Sequence, residues 1–201
     1  MEEQCDIIIL AAGSSSRLGT PKQLLPYKKN TLIEHSIEVA LISLARRVIV
    51  VLGANAETMQ PGIENDKLSF IINEKWEEGI ASSIRCGLRY SLNQTNPPQN
   101  VLYMVCDQPY INTDLLDKLI TLQEQTGHAI VASKYAETTG IPAIFAAALF
   151  PELLQLRGDT GAKKIIAQQK DKMAAVPFPL GDIDIDTEAD YRHLQKKVSK
   201  E

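Results

Sequence analysis

Apolar and polar positions follow two rhythms along this chain. Asp6–Ala12 is an unbroken apolar run rich in isoleucine and closed by Gly13, the pattern of a strand buried on both faces. Arg47–Gly53 repeats it with Val48-Ile49-Val50-Val51-Leu52. Shorter runs at Leu68–Ile72, Val101–Cys106, Ala129–Ser133 and Ile141–Phe145 predict further strands, and Met173–Phe178 and Ile183–Ile185 are short strand candidates. Between the strands the spacing lengthens. Thr31–Leu44 carries Leu32, Ile33, Ile37, Ala40, Leu41 and Leu44 at helical intervals. Gly79–Leu92, a segment capped by Asn112 or Thr113 and running to about Gln125, and Thr160–Gln169 also predict helices. Thr187–Val198 is the last helix, opened by Thr187-Glu188-Ala189-Asp190, a capping box with Asp in place of Glu. This alternation predicts an α/β fold: three layers, with a mostly parallel sheet and helices on both faces. Ligands of such sheets bind beyond the carboxyl ends of the strands. The loops that begin at Gly13 and Asp107 are therefore the first places to look.

The 201 residues, 44% of them hydrophobic, suit one domain, and no Pro/Gly/Ser-rich linker divides them. A net charge of −4 leaves no global basic footprint for nucleic acid. No apolar run approaches the ~18 residues of a membrane span, and Met1-Glu2-Glu3-Gln4 is acidic, unlike a signal region. Cys5, Cys86 and Cys106 lack metal-knuckle spacing, so reduced thiols and a cytoplasmic location are expected.

Local charge changes the picture. From Ile7 to Ile33 there is no acidic residue, while Arg17, Lys22, Lys28 and Lys29 all fall there. Gly13 and Gly19 bracket Ser14, Ser15 and Ser16, and glycine lets a backbone come close to a ligand. Free N–H groups of such a loop can face an anion, Arg17 can grip a phosphate with two hydrogen bonds, and Lys22 can act as a point charge. The loop is neither a P-loop, because Thr20-Pro21 separates Gly19 from Lys22, nor a GxGxxG turn. The same composition also fits an ordinary surface loop. Asp107 follows a buried strand at the ligand edge of the sheet, where one or two carboxylates suffice to hold Mg²⁺. Asp182, Asp184 and Asp186 alternate and would share one face of an extended strand, calling for a cation or for solvent. Gly79 with Ser82-Ser83 opens a helix whose N–H groups can meet a polar ligand.

Leu10-Ala11-Ala12-Gly13, Ser15, Arg17, Gly19, Lys22, Leu24-Leu25 and Pro26 match the pattern LAAGxSxRxGxxKxLLP. That pattern resembles the signature of nucleotidyltransferases with the nucleotide-diphospho-sugar transferase (GT-A-like) fold. Cys106-Asp107-Gln108-Pro109, the segment Asn73–Leu88 with Trp76, Gly79, Ser83 and Gly87, Gly140-Ile141-Pro142 and Gly158-Asp159-Thr160-Gly161-Ala162-Lys163 narrow the resemblance. Together they are similar to the molybdenum-cofactor cytidylyltransferase (MocA-like) branch. Lys163 departs from its usual Arg, and Glu188 and Ala189 from its usual Pro-Glu.

The resemblance implies a CTP donor, a molybdopterin or Mo-molybdopterin acceptor, release of pyrophosphate, and a molybdenum hydroxylase or its chaperone as recipient. It places Leu10, Ala11, Ala12, Gly13, Ser14, Ser15, Asn73, Gly79, Ser82 and Ser83 on the nucleotide, with Arg17 and Lys22 on its phosphates. It favours Asp186 over Asp184 as the second metal ligand beside Asp107, and puts Gly158, Asp159 and Lys163 near the acceptor. Trp76 fits a packing anchor better than a stacking platform, and His35, His128 and His193 have no metal-ligand spacing. Guanylyl transfer, cytidylyl transfer to another phosphorylated acceptor, and a non-catalytic binding module of the same fold stay open as alternatives.

Overall fold

A computed structural model describes residues 4–15, 18–54, 56–59, 62–169 and 172–198. Arg17 and Ser16 lie outside the described residues. Seven strands form one sheet: β1 (Cys5–Ala11), β4 (Arg47–Leu52), β5 (Leu68–Ile72), β6 (Asn100–Val105), β7 (Ile130–Tyr135), β8 (Thr138–Ala146) and β9 (Ala174–Pro177). A separate two-stranded ribbon pairs β2 (Pro26–Tyr27) with β3 (Asn30–Thr31). The order across the large sheet is β5-β4-β1-β6-β8-β7-β9. Every neighbouring pair is parallel except those made by β8, which runs antiparallel to β6 and β7.

Period-two alternation of the buried strands builds the layers. Ile7, Ile9 and Ala11 of β1, Val48, Val50 and Leu52 of β4, and Leu102 and Met104 of β6 enter one core. There they meet helix α1 (Leu32–Ile42) through Ile33 and Ile37, and α3 (Thr113–Thr126) through Leu116 and Leu119. Ile8, Leu10, Ile49, Val51 and Tyr103 point the other way, onto α2 (Ile80–Leu92), α4 (Phe150–Gln155) and α5 (Lys163–Gln168). Fully burying a side chain of this kind contributes about 1.5–3 kcal/mol, so both faces are needed to hold strands that are apolar throughout.

The helix ends obey local chemistry. Thr31 and Glu34 form a reciprocal capping box on α1, Asn112 accepts from the Leu115 N–H on α3, and Gly127 ends α3 in the left-handed region at φ 65. At α6 (Glu188–Val198) the Thr187 hydroxyl accepts from the Asp190 N–H, and the Asp190 carboxylate accepts from the Thr187 N–H. The short form of the box, with Asp replacing Glu, therefore closes.

Two expectations need correction. Ile183–Ile185 is not a strand. The Ile185 N–H donates to the Asp107 carbonyl at 2.9 Å, and its side chain is buried with Tyr27, Leu32 and Leu194 in a small third core. The helix expected from Thr160 begins only at Lys163, because Gly158 at φ 60 and the turn after it precede it. Among the described residues, no helix is long and apolar enough to cross a membrane.

Candidate functional site

The carboxyl ends of β1 and β6 lie side by side, so the loops after Ala11 and Val105 meet. The first loop is shaped by a residue that the motif passes over. Gln23 is 1% exposed, and its Nε2 donates to the carbonyls of Ala11 (3.0 Å) and Gly13 (2.9 Å). Its Oε1 accepts from the Ser15 hydroxyl, while the Lys22 N–H donates back to Ser15 Oγ at 2.9 Å. Ser15 thus holds the loop to itself. Gly13 has no positive φ, and a Cβ there would meet no atom within 4 Å. Nothing in the fold demands a glycine at that position.

Lys22 sits where the two loops converge. Its ammonium donates to Asp107 Oδ2 and, at 2.9 Å, to Asp186 Oδ1. Burial pulls the Lys22 pKa down, but the charge and hydrogen bonds of the two carboxylates outweigh it and leave the value raised. The small third core fixes the neighbour of Asp186, Ile185, against Asp107, which brings the two acids together. Asp107 Oδ1 is buried with no hydrogen-bond partner among the described residues. The adjacent Cys106 thiol is pushed up to about 12, by burial first and then by the Asp107 charge, so it stays protonated.

Two cavities open on either side of Asp107. The first, about 360 Å³, is lined by Leu10–Ser14 and Lys22 on one wall and by Trp76, Gly79 and Ser83 on the other, with Asp159 also on its lining. The second, about 260 Å³, is lined by Gln108, Tyr135, Ile141, Gly161, Lys163 and Asp184, among others. Leu10, Ile80, Val105 and Asp107 belong to both linings, so the cavities share a wall.

Backbone contact joins the loops around them. Gly79 has φ 98, and a Cβ there would lie 2.4 Å from Asp159 Oδ1 and 2.6 Å from the Gly158 carbonyl carbon. The Ala81 N–H donates to the Gly158 carbonyl. Arg85, buried on α2, ties both loops by donating to the Leu156 carbonyl and to Glu78.

The expected residues therefore separate into groups. Leu10, Ala11, Ala12, Gly13, Ser14, Lys22, Gly79 and Ser83 line the first cavity. Asn73 and Ser82 are buried; Asn73 donates to both Ser82 and Ser83, and Ser82 donates to the Gly79 carbonyl. Asp107 borders both cavities, whereas Asp186 meets Lys22 and Asp184 lines the second. Asp159 lines the first cavity and Lys163 the second. Trp76 is half-buried and packs on Gly53, where a Cβ would lie 2.7 Å from the Trp76 Cβ. His35 stacks edge-on with Tyr27 at 4.9 Å, away from the acids. Gln23 was not singled out by the sequence, and Gln108 entered only as the middle residue of the DQP match, with no role of its own. The signal for Gln23 was only its adjacency to Lys22.

With this geometry in place, comparison with known proteins is decisive. Residues 7–173 match the family model described as the MobA-like NTP transferase domain. The chain belongs to this family. Among its relatives, nicotine blue oxidoreductase of Paenarthrobacter nicotinovorans is 28% identical, with 81% of each chain covered. Purine catabolism protein PucB of Bacillus subtilis is 25% identical, with 96% of each covered. The crystal structure of Rv0371c from Mycobacterium tuberculosis H37Rv superposes with a TM-score of 0.83 at 29% identity, covering 98% of this chain and all of that one. Another Rv0371c structure, at 27% identity and TM-score 0.78, is a complex with manganese. As a MobA-like NTP transferase, the chain is a nucleotidyltransferase with a nucleotide-diphospho-sugar-type fold.

The acids of this MobA-like domain fit a divalent cation. Asp107 and Asp186 supply oxygen donors, and the buried Asp107 Oδ1 has no partner among the described residues. A hard cation that keeps most of its waters needs no more than one or two carboxylates. Among the described residues no group of three or more His, Cys, Asp or Glu is gathered as a metal site.

Proposed function

We propose that this chain transfers the cytidylyl group of CTP to the phosphate of molybdopterin, or of its molybdenum-bearing form, and releases pyrophosphate. The observation that carries the proposal is the pair of cavities sharing Asp107. Two substrates in adjoining pockets, with Asp107 at the seam and Lys22 bound to it from the first pocket, is what a direct group transfer requires.

In this reading the first cavity takes CTP. The Leu10–Ser14 backbone and Ser83 contact its nucleoside, and from behind Asn73 holds Ser83 and Ser82, which in turn holds the Gly79 carbonyl. Lys22 and Arg17 take the phosphates. The acceptor lies on the other side, approached by Lys163 and by the Gly158–Asp159 loop. An acceptor phosphate oxygen, already anionic at neutral pH, attacks the α-phosphorus. A new P–O bond forms, the α–β bridge bond breaks, and its electron pair leaves with pyrophosphate. No protein nucleophile is consumed, so catalysis rests on positioning and on charge. Lys22 offsets negative charge developing at the phosphates, and Gln23 keeps the loop in shape by occupying the Ala11 and Gly13 carbonyls. Mg²⁺, held by Asp107 and Asp186, supplies charge neutralisation and orientation of the phosphates when bound.

The cytidine preference and the pterin acceptor rest on the DQP, N-x-x-W and GD-x-GA segments together. The archaeal structural neighbour named molybdopterin-guanine dinucleotide biosynthesis protein A, 17% identical, shares the fold. The three free thiols fit a reducing cytoplasm, and a molybdenum hydroxylase or its chaperone is the expected recipient.

Pyrophosphate release, measured with Mg²⁺, molybdopterin and each of the four NTPs in turn, tests the assignment. Release should be greatest with CTP. Release with GTP alone would move the chain to guanylyl transfer, and no release with any pair contradicts transfer to this acceptor.

A further inference from the structure

The second cavity holds a polar group that the fold leaves incomplete. Gln108 is 4% exposed and lines this cavity. Its Nε2 donates to the Gly181 carbonyl at 2.9 Å. A carbonyl can only accept, so this bond fixes which end of the amide is nitrogen. The other end, Oε1, is buried with no hydrogen-bond partner among the described residues. Buried amide oxygens are nearly always paired, and an exception calls for a cause.

The rest of the lining indicates what would pair it. Leu10, Ile80 and Ile141 give apolar surface suited to the faces of a flat ring. On its polar lining the Gln108 side chain hydrogen-bonds the Asp184 carboxylate and Tyr135, and Lys163 adds a positive charge elsewhere on the wall. With its amide N–H given to the Gly181 carbonyl and to that carboxylate, Gln108 leaves Oε1 as an open acceptor, and the carboxylate keeps further lone pairs of its own. They call for a ligand that presents two N–H donors along one edge. Asp107 on the shared wall faces the reacting phosphates, so the ring would enter with its anionic tail toward that acid.

We propose that this cavity selects the acceptor by reading a 2-amino-4-oxopyrimidine edge, with Gln108 Oε1 and the Asp184 carboxylate accepting its N–H bonds. The inference rests on the acceptor side of the function proposed above, and it assigns specificity to Gln108, a residue outside the phosphate machinery. A ring with oxygen in place of the exocyclic amine presents a lone pair where a donor is needed. Two acceptors then face each other, and binding is lost.

Free pterin and lumazine, which differ in that exocyclic amine, are suitable probes. Each is titrated with the whole protein, by its own fluorescence, and CTP binding with Mg²⁺ is measured in parallel. The wild type should bind pterin at least tenfold more tightly than lumazine. Gln108→Leu should weaken pterin binding about tenfold or more, and leave CTP affinity within about twofold. The wild-type ratio needs no variant, so it stands even if Gln108→Leu folds poorly. Equal affinity for the two rings, no binding of pterin, or pterin binding indifferent to Gln108→Leu in a folded protein would each overturn the inference. CTP bound normally in those cases leaves the donor assignment intact, whereas failure of CTP to bind refutes the reading beneath it.

Discussion

Two aspartates stand at opposite ends of the parallel strands β1 and β6 of one sheet. Asp6, near the start of β1, is fully buried and fully served: Arg46 Nε donates to Oδ1 at 3.0 Å and the Ser91 hydroxyl to Oδ2 at 2.6 Å, with Arg47 at 4.0 Å. Asp107, just past the end of β6, has Lys22 on Oδ2 and nothing on its buried Oδ1 among the described residues. Asp6 and the Oδ1 of Asp107 are both removed from water, so both cost desolvation energy. At Asp6 the fold offsets that cost within itself, and the group is closed to further chemistry. At Asp107 the offset is incomplete, and an outside partner finishes it. A saturated buried carboxylate indicates structure, and an unsaturated one indicates a site.

The contrast can be broken from either side. Asp107→Asn should have the largest effect, lowering kcat/KM by about a thousandfold or more, of order 4 kcal/mol in the transition state. Its melting temperature should stay within a few degrees, and steady-state kinetics beside thermal denaturation check both halves. Turnover at the wild-type rate would remove Asp107 from the site. Asp6→Ala should do the reverse. Stripping a buried charge cluster of its acid costs about 3–5 kcal/mol, read in urea melts, while the folded fraction keeps its kcat. If Asp6→Ala instead abolished turnover in a fully folded protein, the two acids would not differ as argued.

Smaller changes sharpen the same distinction. Gly13→Ala adds a methyl that meets no protein atom within 4 Å. Stability should move by less than about 0.5 kcal/mol, yet the KM for nucleotide should rise roughly tenfold as the methyl enters the space of the ligand. An unchanged KM would show that the loop keeps its distance from CTP. The smallest effect is expected at Asp190→Ala. Losing half of the exposed capping box should cost about 1 kcal/mol of stability, and catalysis should be untouched. A fall in kcat there would mean that α6 steers Asp186.

What the sequence revealed follows from which forces act locally. Strands that are apolar throughout, such as Ile7-Ile8-Ile9, and caps such as Thr31 and Asn112 write their structure into a few adjacent residues, and these were legible. The reversed direction of β8 was not, since a strand's polarity leaves no mark in its own composition. Nor was the ribbon at Pro26–Thr31, which is too short for a period. The Asp182–Asp186 stretch alternates like a strand, yet Ile185 is anchored by the distant Tyr27 and Leu194, and that contact decides its conformation. In the site, Lys22 and Asp107 stood out by charge and motif. Gln23 did not, and Gln108 did so only as a motif letter, because the role of a buried glutamine shows only once its partners, or their absence, are known.

The most direct test of the central claim follows the transferred atom. Wild-type protein is incubated with CTP labelled with ³²P at the α-phosphate, Mg²⁺ and molybdopterin. The label should move into the pterin product, one for each pyrophosphate released. Label that remains in CTP, or appears only as free CMP, would contradict the claim.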